Sequence, residues 1–135
     1  MVKMERASAS LWRRINERYN LVGNKCENCG KIYFPKRIVC RQCGRKTKMR
    51  EEKLSGNGKV YAVTKIRVPA QAFKDSAPYT VAVVELEEGP RVEGHVVDAG
   101  NGEVKIGTKV HSVFRKMHAD GEEGLIYYHF KFEPV

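Results

Sequence analysis

The chain has 135 residues and carries 25 Lys and Arg against 16 Asp and Glu, a formal net charge of +9. That length allows one domain, or a small domain with an appended module, and one modest core. No segment approaches the roughly 20 apolar residues that cross a bilayer. The segment with Lys3, Glu5 and Arg6 is not followed by an apolar run of the signal-peptide type. We therefore expect a soluble, cytoplasmic protein.

The positive charge is concentrated in the first part of the chain. Residues 1–53 contain 15 Lys and Arg against 5 Asp and Glu, whereas residues 54–135 contain 10 against 11. A basic excess of this size favours an anionic partner, which could be nucleic acid, a phosphorylated cofactor or an acidic protein face. Solubility alone explains it equally well, so the charge does not choose among these functions.

The N-terminal segment, residues 1–23, is predicted to contain one short amphipathic helix over residues 8–20. Its apolar side chains recur at about four-residue spacing and include an aromatic neighbour: Leu11, Trp12, Ile15 and Tyr19. Gly23 is the predicted stop signal. A helix this short is marginal alone, so these four residues either dock on the body of the chain or bind a partner protein.

Residues 24–53 contain the metal-binding pattern. The sequence has two C-x-x-C-G motifs, formed by Cys26 with Cys29 and by Cys40 with Cys43. Each motif places two thiolates on one tight turn, and two such turns provide four sulfurs for a tetrahedral ion, which suits zinc better than iron. Four thiolates leave no open coordination position. The pattern therefore predicts a rubredoxin-like zinc ribbon with one structural zinc ion.

The remaining residues, 54–135, have the pattern of a β-domain. Five predicted strands are separated by turn signals at 56–58, 88–90, 100–102 and 120–121, and they span residues 59–68, 79–86, 91–97, 109–115 and 125–132. The first strand is expected to bury one face, formed by Val60, Ala62, Ile66 and Val68. Five short strands in this length favour an OB-fold barrel. The fold class is therefore mainly β: an N-terminal helix, a zinc ribbon and a five-stranded OB-fold barrel.

The sequence offers no constellation of catalytic residues. Its four histidines, His95, His111, His118 and His129, fall on separate predicted strands and a loop, without triad or metal-ligand spacing. The serines lack the context of a nucleophile elbow. We expect no catalytic residues and no enzymatic activity.

Several motifs, taken together in their order, resemble a known family over nearly the whole chain. They are Leu21-Val-Gly before Cys26, Cys29-Gly-Lys-Ile-Tyr-Phe-Pro-Lys-Arg37, Cys40-Arg-Gln-Cys-Gly44, Gly58-Lys-Val-Tyr61, Pro78-Tyr-Thr-Val-Ala-Val-Val-Glu-Leu-Glu-Glu-Gly-Pro-Arg91 and Val104-Lys-Ile-Gly-Thr-Lys-Val110. This order resembles the zinc-ribbon plus OB-fold proteins that accompany thiolases and hydroxymethylglutaryl-CoA synthases, mostly in archaea and bacteria. Lys36 and Arg41 stand where that family usually has prolines, and neither departure affects a thiolate.

The resemblance implies a non-catalytic accessory subunit that bridges acetoacetyl-CoA thiolase and hydroxymethylglutaryl-CoA synthase in the mevalonate pathway of isoprenoid biosynthesis. It also implies that CoA or acyl-CoA is a shared ligand, and the candidates for its phosphates are Lys36, Arg37 and Arg41. Solvation or salt bridges to a partner explain these three cations equally well.

The alternative function is binding of single-stranded nucleic acid, because zinc ribbons and OB-folds are common in proteins that bind it. Tyr61 and Tyr127 could stack on bases. Against this reading, the barrel half of the chain carries no basic excess.

Overall fold

The computed structural model describes residues 8–119 and 121–135. The predicted turn at 120–121 therefore falls partly outside the described residues, because Asp120 is not among them. Lys3, Glu5 and Arg6, and with them the first part of the predicted segment 1–23, also lie outside. The described part confirms the fold class: short N-terminal helices, a three-stranded sheet and a five-stranded barrel follow one another along the chain.

The N-terminal helix is broken into two pieces, α1 (Ser8–Arg13) and α2 (Ile15–Asn20), where one continuous helix was predicted. Arg14, between them, has φ −108° and ψ 16°, and its N–H bonds to the Leu11 carbonyl at 3.3 Å. This three-residue hydrogen bond tightens the turn and changes the direction of the chain. The break leaves α2 packed on the barrel and on the first strand of the ribbon.

Helix α2 ends at Asn20, where the predicted helix ends, but the left-handed residue that stops it is Leu21 and not the predicted Gly23. Leu21 has φ 52° and ψ 53°, the left-handed conformation, and its side chain is only 1% exposed within the barrel core. This conformation costs a non-glycine residue roughly 1–2 kcal/mol, whereas burial of a leucine side chain contributes roughly 1.5–3 kcal/mol. Core burial therefore offsets the strain at this helix end.

The zinc-ribbon segment forms a three-stranded antiparallel sheet. Its strands are β1 (Val22–Cys26), β2 (Ile32–Tyr33) and β3 (Met49–Lys53), in the order β2-β1-β3. A short 3-10 helix, Gly44–Lys46, follows the second cysteine pair. The sheet thus places the two cysteine turns at the same end of the ribbon.

The barrel contains the five predicted strands with small differences at their ends. They are β4 (Gly58–Ile66), β5 (Tyr79–Leu86), β6 (Arg91–Val96), β7 (Lys109–Ala119) and β8 (Ile126–Pro134). Their order is β4-β5-β6-β8-β7, and β7 closes the ring by pairing with β4. A 3-10 helix, Gln71–Ser76, connects β4 to β5.

The buried face of β4 differs from the prediction. A bulge between Val60 and Ala62 adds one residue to this strand, so that Val60 pairs with Val84 and Ala62 pairs with Val83. Because side chains alternate along a strand, one inserted residue moves every following side chain to the other face. Val63 therefore packs against the core and Ala62 is exposed, whereas Ile66 at the end of the strand is half-buried. Val68 lies beyond the end of β4 and is exposed.

Ribbon and barrel share one hydrophobic core. Its buried members are Leu21, Leu54, Val60, Ala82, Val84, Leu86, Val92, Val96, Val110, Phe130 and Phe132. Ile32 and Phe34 of the ribbon pack against this cluster, and the Phe34 ring meets the Phe130 ring edge-on at 5.7 Å. The division of the chain at residues 23 and 53 stays a prediction, since this packing runs across both boundaries.

One seam of the barrel is nearly open. In the described residues, β6 and β8 run parallel and are paired at one position, Val96 with Phe132, where the Val97 N–H donates to the Phe132 carbonyl at 2.8 Å. The described residues before that position form no ladder pair between the two strands. Their facing edges are therefore available to line a groove.

We predict that Gly94→Ala destabilises the barrel by about 1–3 kcal/mol, because its new Cβ would overpack the core. That atom would lie 2.8 Å from a ring carbon of Phe132, which is fully buried. Gly102→Ala is the matched control. Its Cβ meets only the Ala99 carbonyl oxygen at 3.4 Å, and we expect a change within about 0.5 kcal/mol. Urea unfolding of both variants provides the measurement, and equal stabilities would contradict the packing argument.

Candidate functional site

The four cysteines of the two C-x-x-C-G motifs lie together at one end of the ribbon. Their sulfurs are all within 4.8 Å of one another, with Cys26 Sγ 3.8 Å from Cys43 Sγ and Cys29 Sγ 3.5 Å from Cys40 Sγ. A tetrahedral zinc ion with Zn–S bonds of about 2.3 Å places its sulfurs about 3.8 Å apart. The arrangement fits one zinc ion, and its four sulfurs leave no coordination position for a substrate.

Each pair of cysteines is held by the same kind of turn. The Gly30 N–H donates to the Cys26 carbonyl at 2.7 Å, and the Gly44 N–H donates to the Cys40 carbonyl at 3.1 Å. Both glycines have positive φ, +79° and +52° respectively. A residue with a side chain would be strained there, which explains why glycine follows the second cysteine of each motif.

Two side chains near the sulfurs support the cysteine positions from outside the tetrahedron. The Asn28 amide donates to Cys43 Sγ at 3.1 Å, and the buried Tyr33 hydroxyl lies 3.3 Å from Cys40 Sγ while it accepts the Arg41 N–H at 3.2 Å. The hydrogen bond from Tyr33 lowers the pKa of the Cys40 thiol to about 6. Cys40 is thereby prepared to bind as a thiolate.

The pKa of the Cys29 thiol is shifted in the opposite direction, upward. The Lys31 N–H lowers the pKa of Cys29, but the adjacent Cys40, burial and the other two sulfurs raise this pKa to about 12. Two sulfurs 3.5 Å apart cannot both carry a negative charge at neutral pH without a cation between them. A divalent ion supplies that cation, so the donor set is chemically suited to zinc.

A second feature is an apolar groove of about 850 Å³ between the N-terminal helices and the open seam of the barrel. We call it the apolar groove. All four predicted partner-binding residues line it, together with side chains of the ribbon, β8 and the residue before β8: Leu11, Trp12, Ile15, Tyr19, Phe34, Leu125, Ile126, Tyr128 and Phe130. A cleft of this volume and composition is typical of ligand sites in proteins.

The four predicted partner-binding residues in the apolar groove have different environments. Tyr19 packs on its own barrel, with its ring 5.0 Å from the Phe114 ring and 6.5 Å from the Tyr128 ring, both edge-on. Leu11 and Ile15 are half-buried. Trp12, in contrast, is 72% exposed and lines the groove, so its ring is accessible to a partner.

A third feature, the basic groove, has a volume of about 460 Å³ and lies between the ribbon and the β5–β6 turn. Its charged lining residues are Lys31, Arg37, Arg41, Glu88 and Arg91. The apolar and basic grooves adjoin, because Phe34 and Arg91 line both of them. A ligand with an apolar part and an anionic part could therefore occupy the two together.

The structure separates the three predicted phosphate-binding cations. Arg37 and Arg41 line the basic groove, whereas Lys36 forms an ion pair with Glu51 and lies outside it. Lys31 and Arg91 also line the groove, and sequence reasoning missed both. No local signal could have identified Arg91, since the β5–β6 turn meets the ribbon only in three dimensions.

Three of the four histidines take part in ring packing. His95 stacks on Tyr79 at 4.8 Å, His118 stacks on Tyr127 at 4.5 Å, and the His129 ring lies 4.3 Å from that of Phe130. Burial lowers the pKa of both His95 and His129. His111 lies 3.7 Å from Glu133. Two of the histidines, His118 and His129, also line the apolar groove.

Among the described residues, no helix has the length and apolar character needed to cross a bilayer.

Comparison with known proteins identifies the family. The model of the ChsH2 rubredoxin-like zinc ribbon domain matches residues 17–49, and that of the ChsH2 C-terminal OB-fold domain matches residues 51–115. A DUF35 domain-containing scaffold protein of Methanothermobacter thermautotrophicus is 50% identical over 91% of this chain and 92% of its own length. The chain belongs to the DUF35 scaffold family. This confirms the predicted family resemblance.

Two further comparisons agree with this DUF35 assignment. A DUF35 domain-containing scaffold protein of Methanocaldococcus jannaschii is 48% identical over 92% of this chain and 88% of its own length. Among solved structures, one described as the Ltp2-ChsH2(DUF35) aldolase superposes with a TM-score of 0.69 at 26% identity, and covers 99% of this chain and 98% of that one. The likeness therefore extends through the helices, the ribbon and the barrel.

For the metal centre we predict that Tyr33→Phe speeds the loss of zinc to a chelator by about tenfold, because an outer hydrogen bond to a ligand typically changes metal affinity by 10–100-fold. The variant keeps the buried ring and removes only the hydroxyl that contacts Cys40 Sγ. Tyr128→Phe, in the apolar groove, is the control and should release zinc at the wild-type rate.

Elemental analysis of freshly purified wild type should give one zinc per chain, and a zinc-free protein would contradict the assignment.

Proposed function

We propose that this DUF35 protein is a non-catalytic scaffold that binds acyl-CoA and bridges acetoacetyl-CoA thiolase and hydroxymethylglutaryl-CoA synthase in the mevalonate pathway, in the cytoplasm. The observation that carries the proposal is the apolar groove joined to the basic groove, with exposed Trp12 at its rim. The names of the relatives support the scaffold part. The aldolase description of the solved structure supports association with an enzyme.

The zinc ion is structural in this proposal and is held by Cys26, Cys29, Cys40 and Cys43. A ribbon of thirty residues buries too little apolar surface to fold alone, so metal binding contributes directly to its folding. Because four thiolates fill the coordination shell, the ion takes no part in chemistry. The packed histidine rings support the same conclusion for the barrel. Catalysis is left to the partner enzymes.

The two grooves suit the two halves of an acyl-CoA molecule. The acyl and pantetheine part would lie in the apolar groove, along the open seam between β6 and β8, where strand edges can bond to its amides. The phosphates would lie in the basic groove near Arg37, Arg41 and Arg91. Arg91 is positioned for this role by its Nε bond to Glu85 at 3.0 Å and by its stacking 3.8 Å over the Tyr61 ring.

A scaffold of this kind has a thermodynamic rationale. Condensation of two acetyl-CoA molecules is unfavourable, and the following synthase step is favourable. Acetoacetyl-CoA that passes directly between the two enzymes is drawn forward without accumulating. A bridging protein that touches both enzymes and encloses part of their common ligand would shorten this passage.

Partner binding is expected to depend on the exposed rim of the apolar groove. Trp12, Leu125 and Ile126 are 72%, 57% and 49% exposed, respectively, and large exposed apolar surfaces mark interaction sites. We predict that Trp12→Ala weakens binding to at least one of the two enzymes by about thirtyfold, the effect of a hot-spot tryptophan worth about 2 kcal/mol. The measurement is titration of the labelled protein with each purified enzyme from the same organism.

The control for this experiment is Ile106→Ala, which removes an apolar side chain that is 71% exposed outside the groove. It should bind both enzymes like the wild type. Wild-type affinity of the Trp12 variant for both enzymes would contradict the role of the rim. Sub-micromolar binding of single-stranded oligonucleotides at physiological salt, abolished by Tyr61→Ala or Tyr127→Ala, would instead support the nucleic-acid function.

We further predict that Arg41→Ala weakens CoA binding to the assembled complex by about tenfold or more, since a lost charged contact to phosphate costs roughly 1.5–3 kcal/mol. Lys36→Ala is the matched control, because Lys36 is paired with Glu51 outside the basic groove. It should leave CoA affinity unchanged. Calorimetry with the desulfo analogue of CoA provides the measurement, and equal effects of the two substitutions would argue against phosphate binding in this groove.

A further inference from the structure

The ribbon carries a second exposed apolar feature, separate from the apolar groove. Ile38 is 92% exposed and Val39 is 55% exposed, immediately before Cys40. Neither residue lines either of the two grooves. We call residues 37–41 the ribbon tip. Two adjacent aliphatic side chains that project into solvent bury little apolar surface within the chain itself, and a partner that covered them would gain the free energy of that burial.

The backbone of the ribbon tip is held firmly on both sides of these two residues. On one side, the buried Asn24 side chain donates to the Arg37 carbonyl at 2.6 Å and accepts the Arg37 N–H at 3.3 Å. On the other side, the Cys40 N–H donates to Thr47 Oγ1 at 2.9 Å. A surface that is already ordered loses little conformational entropy on binding. The tip is thus built as a pre-organised contact.

The surroundings of the ribbon tip are strongly basic. Residues 24–53 contain 10 Lys and Arg against 3 Asp and Glu, and four zinc-bound thiolates would reduce this excess by only about two charges. In the described residues, the cations that form no ion pair include Lys31, Arg37, Arg41, Arg45 and Lys46. Arg45 and Lys46 lie outside the basic groove, so their charge stays available to a partner surface of opposite sign even when that groove holds phosphates.

We propose that the ribbon tip is a second docking surface, which inserts Ile38 and Val39 into an apolar depression with an acidic rim on one partner enzyme. The helix side of the apolar groove then binds the other enzyme. This inference rests on the proposed function and deepens it, because a bridging protein needs two separable surfaces. Aliphatic side chains do not stack on bases as the aromatic residues of strand-binding proteins do. A protein partner therefore suits the tip better than nucleic acid.

The test uses the full-length, zinc-loaded protein and the two enzymes of the proposed function, acetoacetyl-CoA thiolase and hydroxymethylglutaryl-CoA synthase. The double variant Ile38→Asp, Val39→Asp should lose about thirtyfold or more in affinity for one enzyme, as expected for the centre of an interface, and keep wild-type affinity for the other. Trp12→Ala should weaken the opposite enzyme. Val68→Asp is the matched control, since Val68 is 87% exposed in the barrel, and it should change neither affinity.

A second measurement tests the acidic rim. The double variant Arg37→Glu, Arg41→Glu should slow association with the enzyme that binds the tip by about tenfold at low salt and flatten the salt dependence of that rate, because rim charges mainly steer encounter. This measurement is made without CoA, so that the basic groove does not contribute. Zinc content and the unfolding curve of each variant confirm that the ribbon is intact.

The outcomes separate the two proposals. Wild type that binds neither enzyme refutes the proposed function and the tip inference with it. Wild type that binds both enzymes, with both affinities unchanged in the tip variant, refutes only the tip inference. Equal losses for both enzymes would also overturn it, because the tip would then not be a separate surface. A tip variant that loses only oligonucleotide binding would assign the tip to nucleic acid.

Discussion

The ribbon depends on its four cysteine sulfurs lying within 4.8 Å of one another. Most of the local structure around them holds them in these positions. The antiparallel pairing of β1 with β2 and β3 brings the two halves of the motif to one end of the sheet. Positive-φ glycines close each turn, and the Tyr33 hydroxyl contacts both the sulfur of Cys40 and the N–H of Arg41 in the second turn. A sheet this small has almost no core of its own, so sulfur ligation takes the place that apolar burial has in larger domains.

The ribbon is also fastened to the barrel by apolar contacts. Leu21 is buried in the barrel core, and Phe34 meets Phe130 edge-on. These contacts cross from the first third of the chain to its last strand. The helices, the ribbon and the barrel consequently form one packed body, in which the two grooves lie where the parts meet. Surfaces from different segments of the sequence therefore keep fixed positions relative to one another.

The sequence predicts the fold class, the cysteine cluster and the strand positions, because each depends on the spacing of residues close together in the chain. The two C-x-x-C-G motifs and the alternating strands are examples. Sequence reasoning missed features that depend on contacts between distant segments. The residue that stops the helix is Leu21 and not Gly23, and burial of its side chain in the barrel core offsets its left-handed conformation. The bulge after Val60 placed Val63 and not Ala62 against the core. Lys31 and Arg91 come together only because the ribbon packs on the β5–β6 turn.

The near-open seam between β6 and β8 has an evolutionary consequence. The apolar groove is bounded on one side by strand edges and on the other by two six-residue helices. Leu11, Trp12 and Ile15 line the groove without belonging to the core cluster, whereas Val92 and Phe130 on the strand side belong to both. Substitutions in the helices can therefore change the depth and length of the groove at little cost in stability. The same barrel can thus serve ligands and partners of different size in different members of a family, with its interior left unchanged.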